Sequence, residues 1–140
     1  MADNADDRWN RLNFRPPPPS DAPEPDQPVL VEYVSGGRVA LITLNRPHAD
    51  NAISTELAAS LIEILETIAA RNTVRVAILA GAGDRAFCAG NDLKFQASAG
   101  GPRRYPKSGF CGLTARFDLD KPVIAAVNGM ACGGAFYILG

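Results

Sequence analysis

The chain has 140 residues, 14 basic against 15 acidic side chains and 46% apolar residues, a length and composition that suit one domain. Its formal net charge of −1 offers nothing to draw nucleic acid or an anionic membrane, no apolar run is long enough to span a bilayer, and the polar, acidic N-terminus lacks the apolar stretch of a secretory signal. Three cysteines, Cys88, Cys111 and Cys132, spaced 23 and 21 residues apart, suit a reduced chain, so a cytoplasmic location is expected.

Residues 1–28 carry seven of the eleven prolines (Pro16, Pro17, Pro18, Pro19, Pro23, Pro25 and Pro28), interleaved with Asp21, Glu24 and Asp26. Such a stretch has too little apolar surface to offset the entropy of ordering, so a disordered or polyproline II tail is expected there, with residues 29–140 as the folding unit. Residues 29–34 alternate weakly, Ser35-Gly36-Gly37 reads as a hairpin turn, and residues 38–44 read as the returning strand, closed by Arg46-Pro47. From Ser54 the period changes: Leu57, Leu61, Ile64, Leu65 and Ile68 recur at helical spacing, with Ser54 as N-cap, Glu56 at the positive end of the dipole and Asn72 at the stop. A buried strand is expected over residues 75–80, a long mobile loop over 97–108 with Gly100, Gly101, Pro102 and Pro106, a short helix over 112–118, and a strand over 122–127. Strands alternating with helices argue an α/β layered fold.

Two glycine-containing segments stand out, Phe87-Cys88-Ala89-Gly90-Asn91-Asp92-Leu93-Lys94 and Asn128-Gly129-Met130-Ala131-Cys132-Gly133-Gly134-Ala135. Each comes after a short apolar, β-branched run and each can open a helix, a turn that leaves main-chain N–H groups aimed at a ligand. Two such turns facing each other would form an oxyanion hole of main-chain donors. Competing motifs fail. Gly81-Ala82-Gly83-Asp84-Arg85-Ala86 mimics a dinucleotide fingerprint, but no opening helix follows it and no acid stands about 20 residues on. There is no P-loop and no Gly-x-Ser-x-Gly elbow, and one histidine with three scattered cysteines makes no recognisable zinc pattern, so no metal is expected.

These two segments, together with Val39-Ala40-Leu41-Ile42-Thr43-Leu44-Asn45-Arg46-Pro47 and Asn51-Ala52-Ile53-Ser54, resemble in order the signature stretches of the crotonase (enoyl-CoA hydratase/isomerase) superfamily. The resemblance covers about residues 29 to 140. It implies a crotonase-like superhelix of strand–strand–helix units, present here as its N-terminal half and cut before the C-terminal helical part. It implies action on acyl-CoA thioesters in fatty-acid metabolism, with no permanently bound cofactor and coenzyme A entering as part of the substrate. The oxyanion donors would be the backbone N–H groups of Asn91 and Gly134. His48, Ala49, Ala89, Asp92, Leu93 and Lys94 would contact the coenzyme, and Arg103, Arg104 and Lys107 are candidates for its 3′-phosphate. A trimer is implied for a full-length form.

Counting three residues from Gly134 puts Tyr137 where family hydratases carry a catalytic glutamate, and their second glutamate would fall beyond Gly140. A neutral tyrosine, with a pKa near 10, is no carboxylate base at neutral pH. Tyr137 can be read as a proton donor or as a core tyrosine. Little hydratase activity is therefore expected of the isolated chain. Three readings stand at this point: an enoyl-CoA hydratase/isomerase-type enzyme, an inactive remnant or acyl-CoA-binding fragment, and an interaction module whose proline tail docks aromatic grooves.

Overall fold

A computed structural model describes residues 25–98 and 105–139. Most of the expected proline-rich tail, and Arg103 and Arg104, lie outside the described residues. The first pair of strands is the expected hairpin: β1 (Val29–Val34) runs antiparallel to β2 (Val39–Leu44), with Val34 opposite Val39. Ser35, Gly36 and Gly37 all take positive φ, which is why a glycine pair sits at this turn. Next to β2 lies β3 (Val76–Gly81), parallel to it, and β5 (Val123–Ala126) adds in parallel beside β3, giving the order β1-β2-β3-β5.

Helix α1 (Thr55–Ala70) crosses from β2 to β3. Ser54 caps it as expected, its side chain accepting from the Leu57 N–H at 3.1 Å. Leu57, Leu61, Leu65 and Ile68 are fully buried, in one cluster with Ala40, Ile42, Leu44, Ala77 and Leu79 of the sheet, while Ile64 is only partly covered. Each such burial contributes on the order of 2 kcal/mol. The helix ends at Arg71, whose guanidinium lies 4.1 Å over the Tyr33 ring. Its last turn has no basic residue, and the cation comes from a distant one. Lys121 Nζ donates to the carbonyls of Ile68, Ala69 and Arg71, complementing the negative end of the helix dipole.

A second, small sheet pairs β4 (Ala86–Cys88) in parallel with β6 (Met130–Ala131). Both strands are too short for a periodicity signal, and sequence reading missed them. Two expectations need correction. The first two residues of the loop expected over residues 97–108 belong instead to α2 (Leu93–Ser98), started by Asp92 Oδ1, which accepts from the N–H groups of Lys94 and Phe95. The helix expected over residues 112–118 is absent. A 3-10 turn at Phe110–Gly112 stands before it, with Gly109, Cys111 and Gly112 at positive φ, values that an α-helix excludes. The turn is held by Thr114 Oγ1, which accepts from the Phe110 N–H at 2.8 Å, and by contact with α1, where a Cβ on Gly112 would come within 2.9 Å of Ile62 Cγ1.

Candidate active site

The two glycine segments meet. A Cβ placed on Gly90 would lie 2.7 Å from the Cys132 carbonyl oxygen and 3.0 Å from the Gly134 nitrogen. Gly90 also sits at φ 90°, so both conformation and space require glycine there. The approach is set by the small sheet: Cys88 pairs with Ala131, and the Cys132 N–H donates to the Cys88 carbonyl at 3.0 Å. From Gly133, at φ 54°, the chain enters α3 (Ala135–Leu139). Gly134 is packed on its other side by Phe110, whose Cζ would be 2.9 Å from a Cβ there.

The first turn is also tied to the segment before α1. Ile53 N–H donates to the Gly90 carbonyl at 2.7 Å and the Asp92 N–H donates to the Ile53 carbonyl at 3.1 Å, which brackets Asn91 in a parallel bridge with Ile53. The Ala89 N–H donates to the Asp50 carbonyl. Two ion pairs reinforce this: Arg46 with Asp92 at 3.1 Å and Arg85 with Asp50 at 2.6 Å. Arg46 is almost fully buried and also donates to the Ala52 carbonyl, so its charge is matched on two sides.

A family model described as enoyl-CoA hydratase/isomerase matches residues 35–139. The chain belongs to the enoyl-CoA hydratase/isomerase family. Among curated relatives it is 48% identical over 101 residues to a carnitinyl-CoA dehydratase of Proteus mirabilis, covering 71% of this chain and 38% of that protein. A carnitinyl-CoA dehydratase of Escherichia coli K12 is 46% identical over the same length, with the same shares covered. Among solved structures, a carnitinyl-CoA hydratase from Mycobacterium avium superposes with a TM-score of 0.73 at 39% identity, over 81% of this chain and 43% of that one. An enoyl-CoA hydratase from Mycobacterium tuberculosis H37Rv gives 0.70 at 36% identity, over 81% and 42%. The crotonase-like fold expected from the sequence is therefore the fold of this family member, which spans about two-fifths of the length of the relatives it matches.

The residues singled out in the sequence fall into three groups on this family frame. Asn91 and Gly134 are brought together, and Ala89 and Asp92 flank them. His48 and Ala49 occupy a half-buried 3-10 turn (Pro47–Ala49) whose end is fastened to Ala89 through Asp50. Leu93 and Lys94 open α2 on the exposed side, and Lys107 is exposed. Asp92 is engaged structurally, as the N-terminal cap of α2 and the partner of Arg46. Tyr137 is 67% exposed, with its ring against Phe110, so the core-tyrosine reading does not describe its environment.

Sequence reading missed the roles of two asparagines. Asn51 is fully buried at φ 54°; its Oδ1 accepts from the Arg46 N–H at 2.9 Å, and its Nδ2 donates to the carbonyls of Ala82 and Ala86. Asn128 grips the same loop from the opposite segment, accepting from the Gly81 N–H and donating to the carbonyls of Gly81 and Gly83. Residues 81–86 are thus held by one asparagine from each side. The signal was their place beside turns, where asparagine substitutes for main-chain partners. Cys88 is not poised as a nucleophile: burial pushes its thiol above the ordinary value, outweighing the Gly90 N–H that points at its sulfur. Among the described residues no group of three or more histidine, cysteine or acidic side chains could hold a metal ion, and no helix is long and apolar enough to cross a membrane.

Proposed function

We propose that this chain forms the thioester-holding part of an acyl-CoA-processing site. The main-chain N–H groups of Asn91 and Gly134 receive the thioester carbonyl oxygen, and the turns at His48–Ala49 and Ala89–Lys94 receive the coenzyme. The single observation that carries the reading is the apposition of Gly90 with Gly134, which only glycine at position 90 permits. Donors fixed in place before the substrate arrives stabilise the charge that develops on that oxygen when Cα loses or gains a proton, typically by about 10²–10³ in rate per donor. The relatives are named as dehydratases or hydratases of carnitinyl or enoyl thioesters, so addition or removal of water across the Cα–Cβ bond is the reaction class for such a site.

A second reading, acyl-CoA binding without turnover, is supported by the acids near the turns. Asp92 and Asp50 are each committed to an arginine, and position 137 carries a phenol in place of a carboxylate. The two readings share one binding test. Calorimetry with an acyl-CoA should show nearly unchanged affinity for Asn91→Ala, which keeps the N–H, and none for Asn91→Pro, which deletes it. If alanine damages binding as much as proline, the side chain is the operative group and the main-chain reading fails. The matching substitution at Gly134 needs a control, because any Cβ there meets Phe110 at 2.9 Å. Gly134→Ala beside Gly134→Pro separates that clash from loss of the donor. Turnover of a crotonyl thioester separates the enzyme from the binder, and turnover within tenfold of a full-length hydratase would overturn the second reading.

A further inference from the structure

Strand β5 ends the main sheet on one side, in the order β1-β2-β3-β5, and among the described residues no strand lies beyond it. Which of its groups face outward follows from its register. Ala77 pairs with Val123, and the Ala77 N–H donates to the Pro122 carbonyl at 3.0 Å. Successive residues in a parallel ladder turn their main-chain groups to alternate sides. Those of Ile124 therefore meet β3, while the N–H and C=O of Val123 and Ala125 face the open edge. Side chains alternate as well. Val123 and Ala125 pack against the core beneath α1, whereas Ile124, 53% exposed, stands on the other face in one row with Ile78 and Leu41.

We propose that this edge pairs with the same edge of a second copy of the chain, β5 running antiparallel to its mate about a two-fold axis at Ile124. In that register Val123 of each copy exchanges both main-chain hydrogen bonds with Ala125 of the other, so every outward group of the strand is satisfied. Ile124 lies opposite the partner's Ile124 in the closely spaced kind of pair, and the row Leu41–Ile78–Ile124 continues into the second sheet. Charge selects a second copy as the occupant. A two-fold contact sets each charge near its own kind, which destabilises it. β5 and the following Val127 carry none, and Lys121 before them is engaged by the carbonyls at the end of α1. Nor does β5 have the lysine, proline or bulge that blunts a natural edge, whereas the opposite edge, β1, carries Glu32 in mid-strand. One short strand pair is a small interface, so the association is reversible and concentration-dependent.

Sedimentation equilibrium of the full chain over roughly a hundredfold concentration range should move from one chain mass to two and no further, because a two-fold contact closes on itself. Ala125→Pro deletes an outward donor and none that β3 uses, and Ile124→Lys sets two cations face to face. Each should weaken dimerisation at least about tenfold with an unchanged circular dichroism spectrum. Leu30→Lys, on the same face of β1, should leave dimerisation unaltered. If the proline variant fails to fold, Ile124→Lys decides alone. The axis is checked with Ile124→Cys in a chain whose exposed Cys132 is changed to serine, which diamide should link to its mate through position 124. A chain that stays monomeric, a three-chain mass, growth into larger assemblies, or a dimer indifferent to both β5 variants overturns the proposal. Each of those outcomes leaves the thioester site standing.

Discussion

The two glycine turns are built alike and held differently. The turn at Gly90-Asn91 is fastened by hydrogen bonds to Ile53 and Asp50, by the Arg46–Asp92 pair and by its own capping of α2. The turn at Gly133-Gly134 rests on a two-residue strand, on Phe110, and on a five-residue helix whose Phe136 and Tyr137 are largely exposed. A helix that short draws little stability from its own hydrogen bonds. The difference teaches that one donor is set by a polar network within residues 46–92, whereas the other depends on packing by Phe110.

The comparison is tested most severely at Asn51. Asn51→Ala leaves the Arg46 N–H and the carbonyls of Ala82 and Ala86 without their partner, loosening the segment that carries Arg46 and Asp50 to the first turn, and is expected to cost about 3 kcal/mol. Urea unfolding measures this, and a loss below about 1 kcal/mol would mean that Asn51 is not what secures the Arg46–Asp50 segment on which the first turn leans. Gly90→Ala comes next. The new methyl meets the Cys132 carbonyl and the positive φ is strained, so about 1–3 kcal/mol of stability is expected to go. Acyl-CoA affinity should fall further than stability does, because the two turns are pushed apart. Unchanged affinity would show that their contact is irrelevant to binding.

Hydrogen exchange sharpens the contrast directly. The Ile53 and Asp92 amides should exchange more slowly than that of Tyr137, and the reverse order would remove the distinction between the turns. Lys121→Met, which strips three carbonyls at the end of α1 of their cation, should cost about 1–2 kcal/mol and leave acyl-CoA binding unaltered. The smallest effect concerns the cysteines beside the turns. Exposed Cys132 should react with iodoacetamide at neutral pH and buried Cys88 only on unfolding, as mass spectrometry would show. Because the folded state raises the Cys88 pKa, its contribution to stability is present at neutral pH. It is lost as pH rises past the ordinary thiol value of about 8.5 and through the raised one. A Cys88→Ala variant should therefore weaken less on going from neutral to alkaline pH than the parent chain.

Much of this was legible in the residues themselves. The stripe of Leu57, Leu61, Leu65 and Ile68 and the cap at Ser54 were readable because helical spacing and capping are local. The hairpin around Gly36-Gly37 was readable because its turn needs positive φ. The turn at Phe110–Gly112 was not, since its shape follows from contact with Ile62 and a bond to Thr114. Strands β4 and β6 were equally hidden, because two or three residues carry no period and their pairing joins segments about 40 residues apart.

The candidate site divides along the same line. The sequence by itself determined that glycines at 90, 133 and 134 form turns and that position 137 holds no carboxylate, since both follow from residue type alone. Only the tertiary structure decided that Gly90 touches the Gly134 turn, that Asn51 and Asn128 grip one loop, and that Tyr105, Phe110 and Tyr137 share one corner. Those contacts join residues far apart in the chain. Their distances are set by sheet pairing and core packing, which no local pattern encodes.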